Sequence, residues 1–314
     1  MGSTGIGPHR LTDFDSIDSQ QGEKYSSLLD PVTSLLTLSR RHNKKMSDRV
    51  AVTIEAGIAD VKMNRPDKRN ALDPAMFTAL AEVGERLKTE AGVRVVVLSG
   101  AGKSFCAGLD MASMQAIAGN NDSESRSSGN AGDMVKGRIT HLGQQVCWVW
   151  QEIPVPVIAA VHGHALGGGM QIALGADIRI VHPGTKMSVR EIYWGLVPDM
   201  TGTFQLGKLV RPDIAKELTF TARVFPGSEA FDLGLVTRLS DDPYADAMTM
   251  AREITGVSPG AVRGAKELIN NMAAEGAAQQ FEAERRLIRA QIGTQNQVEA
   301  VAASFENRIP NFSD

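Results

Sequence analysis

Three consecutive glycines, Gly167-Gly168-Gly169, follow the apolar run Ala159-Ala160-Val161 and the link His162-Gly163-His164-Ala165-Leu166, and lead straight into Met170-Gln171. The pattern predicts a strand that turns into a helix at the glycines. Glycine lets backbone approach a ligand closely, and the first N–H groups of a helix have no internal partner, so such a turn can aim donors at negative charge. A second turn of this kind, Ser104-Phe105-Cys106-Ala107-Gly108-Leu109-Asp110, follows the apolar run Val95-Val96-Val97-Leu98. Brought together, two such turns can hold one thioester oxygen between two backbone N–H groups. His162 and His164 alternate around Gly163 with no third residue at ligand spacing, so no metal site is expected. Neither a phosphate loop ending in Gly-Lys-Ser/Thr nor a complete Gly-x-Gly-x-x-Gly fingerprint occurs in a strand-to-helix context.

The surrounding pattern supplies the elements that must position these turns. Val50 to Glu55 and Ile58 to Met63 read as a hairpin around Ala56-Gly57. Asp73 caps a predicted helix with Pro74 at its first position, and Met76, Leu80, Val83 and Leu87 recur at helical spacing. A strand from Val95 to Ser99 follows. Gly119 to Asp133 is polar and rich in Gly and Ser, which suits either a mobile flap or a surface insertion. A helix is expected over Val135 to Glu152, then strands over Val157 to Val161 and Asp177 to Val181 on either side of the glycine-run helix. This alternation makes an α/β core with right-handed crossovers. After Pro243 the pattern is helical: Tyr244 to Ile254, Pro259 to Ala274 and Gln279 to Ser304. The last carries an apolar stripe of Phe281, Leu287, Ile288 and Ile292 that needs a surface to cover it.

Composition bounds the function. A chain of 314 residues that is 42% hydrophobic can bury a sizeable core, and a net charge of −3 argues against a nucleic-acid surface as a partner. Cys106 and Cys147 are too few for a disulfide framework, and no apolar run is long enough for a membrane span, so a cytoplasmic location is expected. Residues 1–48 read as a disordered N-terminal extension, and Met46 is a candidate natural start with the earlier residues an upstream extension or an engineered remnant. The acids Asp13, Asp15, Asp18, Glu23 and Asp30 are unlike a transit peptide.

Four segments in this order resemble the crotonase superfamily, the enoyl-CoA hydratases and isomerases: Asn64 to Leu72, Phe105 to Asp110, the glycine run, and Glu191 to Phe204. The resemblance implies a spiral of ββα units over residues 49–242 and a C-terminal helical region, 243–314, that covers the acyl pocket and builds a homotrimer or a dimer of trimers. The alternative is that this region folds only onto its own subunit. The implied ligand is an acyl-CoA thioester, with coenzyme A part of the substrate and no separate cofactor. Its carbonyl oxygen would lie between the amides of Leu109 and Gly168. Arg69, Ala71, Ala107, Gly108, Asp110 and Gly167 fall at the positions that contact substrate or CoA, and Arg65 and Lys68 lie near the expected nucleotide.

The hydratase pattern places two glutamates around a water. Glu191 matches the second, but the first is Gln171, which can hydrogen-bond a water and cannot accept its proton, although an acid restored there would complete the pair. Asp199 resembles an aspartate of the dienoyl-CoA isomerase branch, where it works opposite the glutamate; that branch normally also carries an aspartate at position 171. Asp199 also suits an N-cap for a helix over Thr203 to Val210. The resemblance therefore implies a double-bond isomerase using Glu191 and Asp199. The alternatives are an enoyl-CoA hydratase using Glu191 with Gln171, a hydrolase or carbon–carbon cleaving relative, and a non-catalytic CoA-binding scaffold. Because residues 1–45 lack a periodic apolar face, their deletion is expected to leave melting temperature and oligomer size unchanged, as measured by calorimetry and light scattering.

Overall fold

The computed structural model describes residues 48–119, 129–271 and 276–312. The expected N-terminal extension, apart from its last residue, and most of the expected flap lie outside the described residues. Strands β1 (Val50–Glu55) and β2 (Ile58–Met63) pair antiparallel, and Ala56 and Gly57, both at positive φ, make the two-residue turn between them. Helix α1 (Pro74–Leu87) starts where Asp73 accepts the Met76 N–H at 2.9 Å, as its sequence predicts. Strands β3 (Val95–Gly100) and β4 (Val157–Val161) are buried along their whole length, which is why both read as continuous apolar runs. Between them lie α2 (Met111–Gly119) and α3 (Leu142–Glu152).

The glycine-rich region contributes β5 (His164–Leu166), α4 (Gly168–Gly175), β6 (Ile178–Val181) and β7 (Lys186–Ser188). Next come α5 (Gly202–Leu209), α6 (Pro212–Thr221), β8 (Phe225–Pro226), α7 (Gly227–Asp232) and β9 (Arg238–Leu239). The chain then continues through α8 (Pro243–Thr255), α9 (Pro259–Asn271), α10 (Ala277–Gln291) and α11 (Gln295–Phe305). One sheet runs in the order β1-β2-β3-β4-β6-β9, parallel from β2 onward, and a smaller one runs β5-β7-β8. The chain thus leaves the large sheet at Val161, enters the small one at His164 and turns into α4, the winding of an α/β spiral.

Two predicted elements are corrected. The helix expected from Val135 starts only at Leu142, because His141 caps it and residues before it turn through Gly137 at φ +72°. The helix expected over Gln279 to Ser304 is two helices, broken at Gly293, which takes φ +71°, with Thr294 capping the second through the Gln297 N–H. Of its apolar stripe, Phe281, Ile288 and Ile292 are buried on this chain's own core and Leu287 is exposed. Phe281 meets the edges of Trp148 at 5.0 Å and Phe204 at 5.7 Å. Phe281→Ala is expected to destabilise the chain by roughly 3–5 kcal/mol, read as a lower denaturation midpoint in urea.

Candidate active site

Leu72 and the β5 strand pin the two glycine turns against each other. The Leu72 N–H donates to the Gly108 carbonyl at 2.8 Å, and the Leu72 carbonyl accepts the Asp110 N–H at 3.0 Å. In this parallel bridge Leu109 itself is the skipped residue, so its own N–H points away from Leu72. On the other side the Cys106 N–H donates to the His164 carbonyl and the Cys106 carbonyl accepts the Leu166 N–H. A Cβ on Gly169 would run into the Cys106 carbonyl, so only glycine lets α4 start this close to the first turn. Gly167 sits at φ +51° and ψ −122°, a conformation that side chains oppose. Gly168 opens α4 and leaves its N–H outside the helix ladder. Among the described residues, neither the Leu109 nor the Gly168 N–H donates to a protein acceptor, and both residues line one cavity of about 310 Å³.

The cavity walls are mostly apolar, with Leu72, Phe77, Met111, Met114, Trp194, Leu196, Met200, Ile288 and Ile292, and two carboxylates, Glu191 and Asp199, together with Arg190, break that surface. Glu191 opens a short 3-10 turn that ends at Gly195 in the left-handed region. Its Oε1 accepts the Gln171 Nε2 at 2.6 Å, and its buried Oε2 has no hydrogen-bond partner among the described residues. Gln171 is 2% exposed and lies behind Glu191, outside the cavity lining. Its Oε1 accepts the N–H groups of Met200 at 3.0 Å and Gly202 at 2.8 Å, which fixes which end of the amide faces Glu191. Burial pushes the Glu191 carboxyl up to about 7, with a smaller push from Glu284.

Asp199 is held well above the ordinary aspartate range by burial, then by the charges of Glu284 and Glu191. It does not cap α5. The N-cap there is Thr201, and the first turn is satisfied by Gln171 and by Glu284, which accepts the Thr201 N–H at 3.0 Å and the Thr203 hydroxyl at 2.6 Å. Glu284, 3% exposed on α10, also accepts the Gln144 Nε2 at 3.1 Å. Behind Asp199 sits His141, whose Nε2 is 3.9 Å from Asp199 Oδ2.

Of the residues expected from sequence, Ala107, Gly108, Leu109, Gly167, Gly168, Glu191 and Asp199 meet at the cavity. Gln171, Arg69, Ala71 and Asp110 do not line it. Asp110 instead accepts the Ala112 N–H at 3.0 Å and Arg65 Nη1 at 2.8 Å, and Arg65 also donates to the Ala71 carbonyl at 3.0 Å, so this arginine ties the turn internally. Arg69 and Lys68 are exposed, and the Arg69 carbonyl accepts the Ala107 N–H at 3.0 Å. Sequence reasoning missed Glu284 and His141. A signal for Glu284 was present: it falls in register with Phe281 and Ile288 on the buried stripe of a helix, where an acid is out of place.

A family model described as Enoyl-CoA hydratase/isomerase matches residues 53–314. The chain belongs to the enoyl-CoA hydratase/isomerase family. It is 34% identical over 263 residues to the mouse (Mus musculus) protein called Enoyl-CoA hydratase domain-containing protein 2, mitochondrial, covering 82% of this chain and 84% of that one. It is 32% identical over 251 residues to mouse Delta(3,5)-Delta(2,4)-dienoyl-CoA isomerase, mitochondrial, covering 76% of this chain and 75% of that one. The crystal structure of an enoyl-CoA hydratase/isomerase from Mycobacterium paratuberculosis shares the fold, with a TM-score of 0.74 at 23% identity over 82% of this chain and 99% of that one. The fold is therefore the crotonase spiral, and the chain is an acyl-CoA enzyme of this family. The mitochondrial names of both mouse relatives overturn the expected cytoplasmic location. The physical reason is that buried free cysteines, and the absence among the described residues of a helix long and apolar enough to cross a membrane, suit an organelle interior equally well.

The raised pKa of Glu191 makes a stability prediction. In the folded state this acid keeps its proton up to about 7, against 4.5 for an ordinary glutamate, so its contribution is full below about 4.5 and is lost as pH rises through 7. Glu191→Gln is expected to melt higher than the parent at pH 8, by on the order of 3 kcal/mol, with the gain shrinking as the pH falls toward 4.5; thermal melts across that range check it.

Proposed function

We propose that the chain shifts double bonds of an enoyl- or dienoyl-CoA through an enolate, with Glu191 and Asp199 as the proton-transferring pair. The observation that carries this reading is the place of the Gln171 amide. Its oxygen is taken by two backbone N–H groups, one N–H of its nitrogen goes to Glu191, and the side chain is buried outside the cavity lining, so it does not present a second group to a water beside Glu191 in the cavity. An acid introduced at 171 would place a second carboxylate where the amide now lies, 2.6 Å from Glu191 Oε1, and would force one of the two to stay protonated. The cavity then offers two acids on its wall, Glu191 and Asp199.

In this mechanism the thioester oxygen lies between the Leu109 and Gly168 N–H groups, where each donor lowers the barrier by roughly 3 kcal/mol as negative charge develops. Glu191, close to half ionised near neutrality, removes a proton from the acyl chain through Oε2 while Gln171 steadies Oε1. Asp199, kept protonated by burial and by Glu284, returns a proton farther along the conjugated enolate. The substrate gains and loses one proton. Glu191 ends protonated and Asp199 ionised, and a proton passing between them resets the site. The likeness to the dienoyl-CoA isomerase supports this choice within the family. In the same reading the chain assembles as a homotrimer or a dimer of trimers, which would cover apolar surface such as Leu268 and Ile269 of α9, exposed at 72% and 67%.

Defined 2-enoyl-CoA and 3,5-dienoyl-CoA substrates, followed by ultraviolet absorbance and mass spectrometry, test the reading. Isomerisation changes the absorbance at constant mass, and hydration adds one water. Glu191→Gln and Asp199→Asn are each expected to slow isomerisation by about 100- to 10,000-fold, and Gln171→Glu is expected to create no hydration. Faster hydration than isomerisation by the parent protein, or full activity in Asp199→Asn, would overturn the proposal.

A further inference from the structure

His141 does not line the cavity, yet its ring is aimed at Asp199. It caps α3 as half of a reciprocal box: Nδ1 accepts the Gln144 N–H at 3.1 Å, and the His141 N–H donates to Gln144 Oε1 at 3.2 Å. An Nδ1 that accepts a hydrogen bond carries no proton, so the neutral ring holds its proton on Nε2. That nitrogen is 3.9 Å from Asp199 Oδ2, and the ring is 3% exposed, with the Ala131 carbonyl competing for its N–H as an acceptor. Burial, with Arg285 and Arg289 of α10 facing the ring, pushes the imidazole down to about 4. It therefore stays neutral through the working range and acts as a donor of fixed direction.

The demand for such a donor comes from the charges around Asp199. Glu284 stands behind Asp199 and opposes a negative charge there, as does Glu191 on the same cavity wall until it has taken its proton. While Asp199 is protonated it needs no help. Once it has delivered its proton, a buried carboxylate remains beside Glu284, and a small side-chain rotation brings the Nε2–H into hydrogen-bond range.

We propose that His141 is a positioning residue for Asp199: the α3 cap holds its Nε2–H facing the Asp199 carboxyl, and that N–H stabilises the carboxylate left when Asp199 gives up its proton. The idea rests on the isomerase reading above and adds a residue to it.

His141→Asn separates the two roles of the ring, because asparagine caps helices well but has no N–H at the Nε2 position. The expected result is an unchanged melting temperature, a fall in kcat of about 10-fold with KM little changed, and an alkaline limb of the pH–rate profile that moves up by about one unit. The limb moves up because an anion that loses its donor belongs to a weaker acid. A merely structural defect would lower activity without moving it. A second measurement needs no folded His141 variant: ¹⁵N-histidine NMR of the parent protein and of Asp199→Asn. His141 is expected to be protonated on Nε2, and its resonance to follow a titration in the parent that vanishes in Asp199→Asn. A pH–rate profile unmoved in folded His141→Asn, protonation on Nδ1, or the same titration in both proteins would overturn the proposal. The isomerase reading fails separately, through full activity of Asp199→Asn alone.

Discussion

A single buried amide organises the chemical half of this molecule. Gln171 lies one helical turn into α4, and its side chain gathers three segments distant in sequence: the Glu191 turn through its nitrogen, and Met200 and the start of α5 through its oxygen. An amide suits this place because one end donates and the other accepts. A carboxylate would satisfy the two backbone N–H groups and then confront Glu191 with a like charge; an apolar residue would leave the N–H groups without a partner. The segment between Glu191 and Gly202 carries Asp199, so the same contact that steadies Glu191 also sets where Asp199 stands.

Around that amide the protein tolerates an unusual concentration of buried acid. Glu284 is satisfied by Gln144, Thr201 and Thr203, so its charge is met by hydrogen bonds, whereas the Glu191 Oε2 is left bare. The difference divides the work. Burial pushes both carboxyls up; the donors around Glu284, which stands behind the cavity, oppose that push, whereas the unpartnered Glu191 oxygen is free to face a ligand. The adjoining glycine turns are neutral and rigid by contrast. Their donors are backbone groups whose direction depends on packing alone.

Much of this was legible in the sequence. The apolar runs that became β3 and β4, the Asp73 cap and the two glycine turns all depend on local pattern, and local pattern is what a sequence displays. Glu191 and Asp199 could be placed because they lie beside a motif. Gln171 could be recognised as a departure but not understood, because its partners Met200 and Gly202 lie about 30 residues on and the bonds form only after α4 and α5 pack. His141 was hidden by a helix expected to start at Val135; inside a helix its ring would have been one more side chain, and only as a cap is its tautomer fixed. Arg65 has a local part that the sequence did not display: it ties Asp110 and Ala71 together.

The position of α10 has a consequence for how the protein comes to life on the ribosome. Both glycine turns, Glu191 and Asp199 are encoded well before Ala277, but Glu284 and Ile288 come from α10 and Ile292 from the residue that ends it. A nascent chain that has emerged only through α9 holds both glycine turns, Glu191 and Asp199, while its cavity lacks Ile288 and Ile292 and Asp199 lacks the acid behind it. The cavity is therefore completed late, with the arrival of the C-terminal helices.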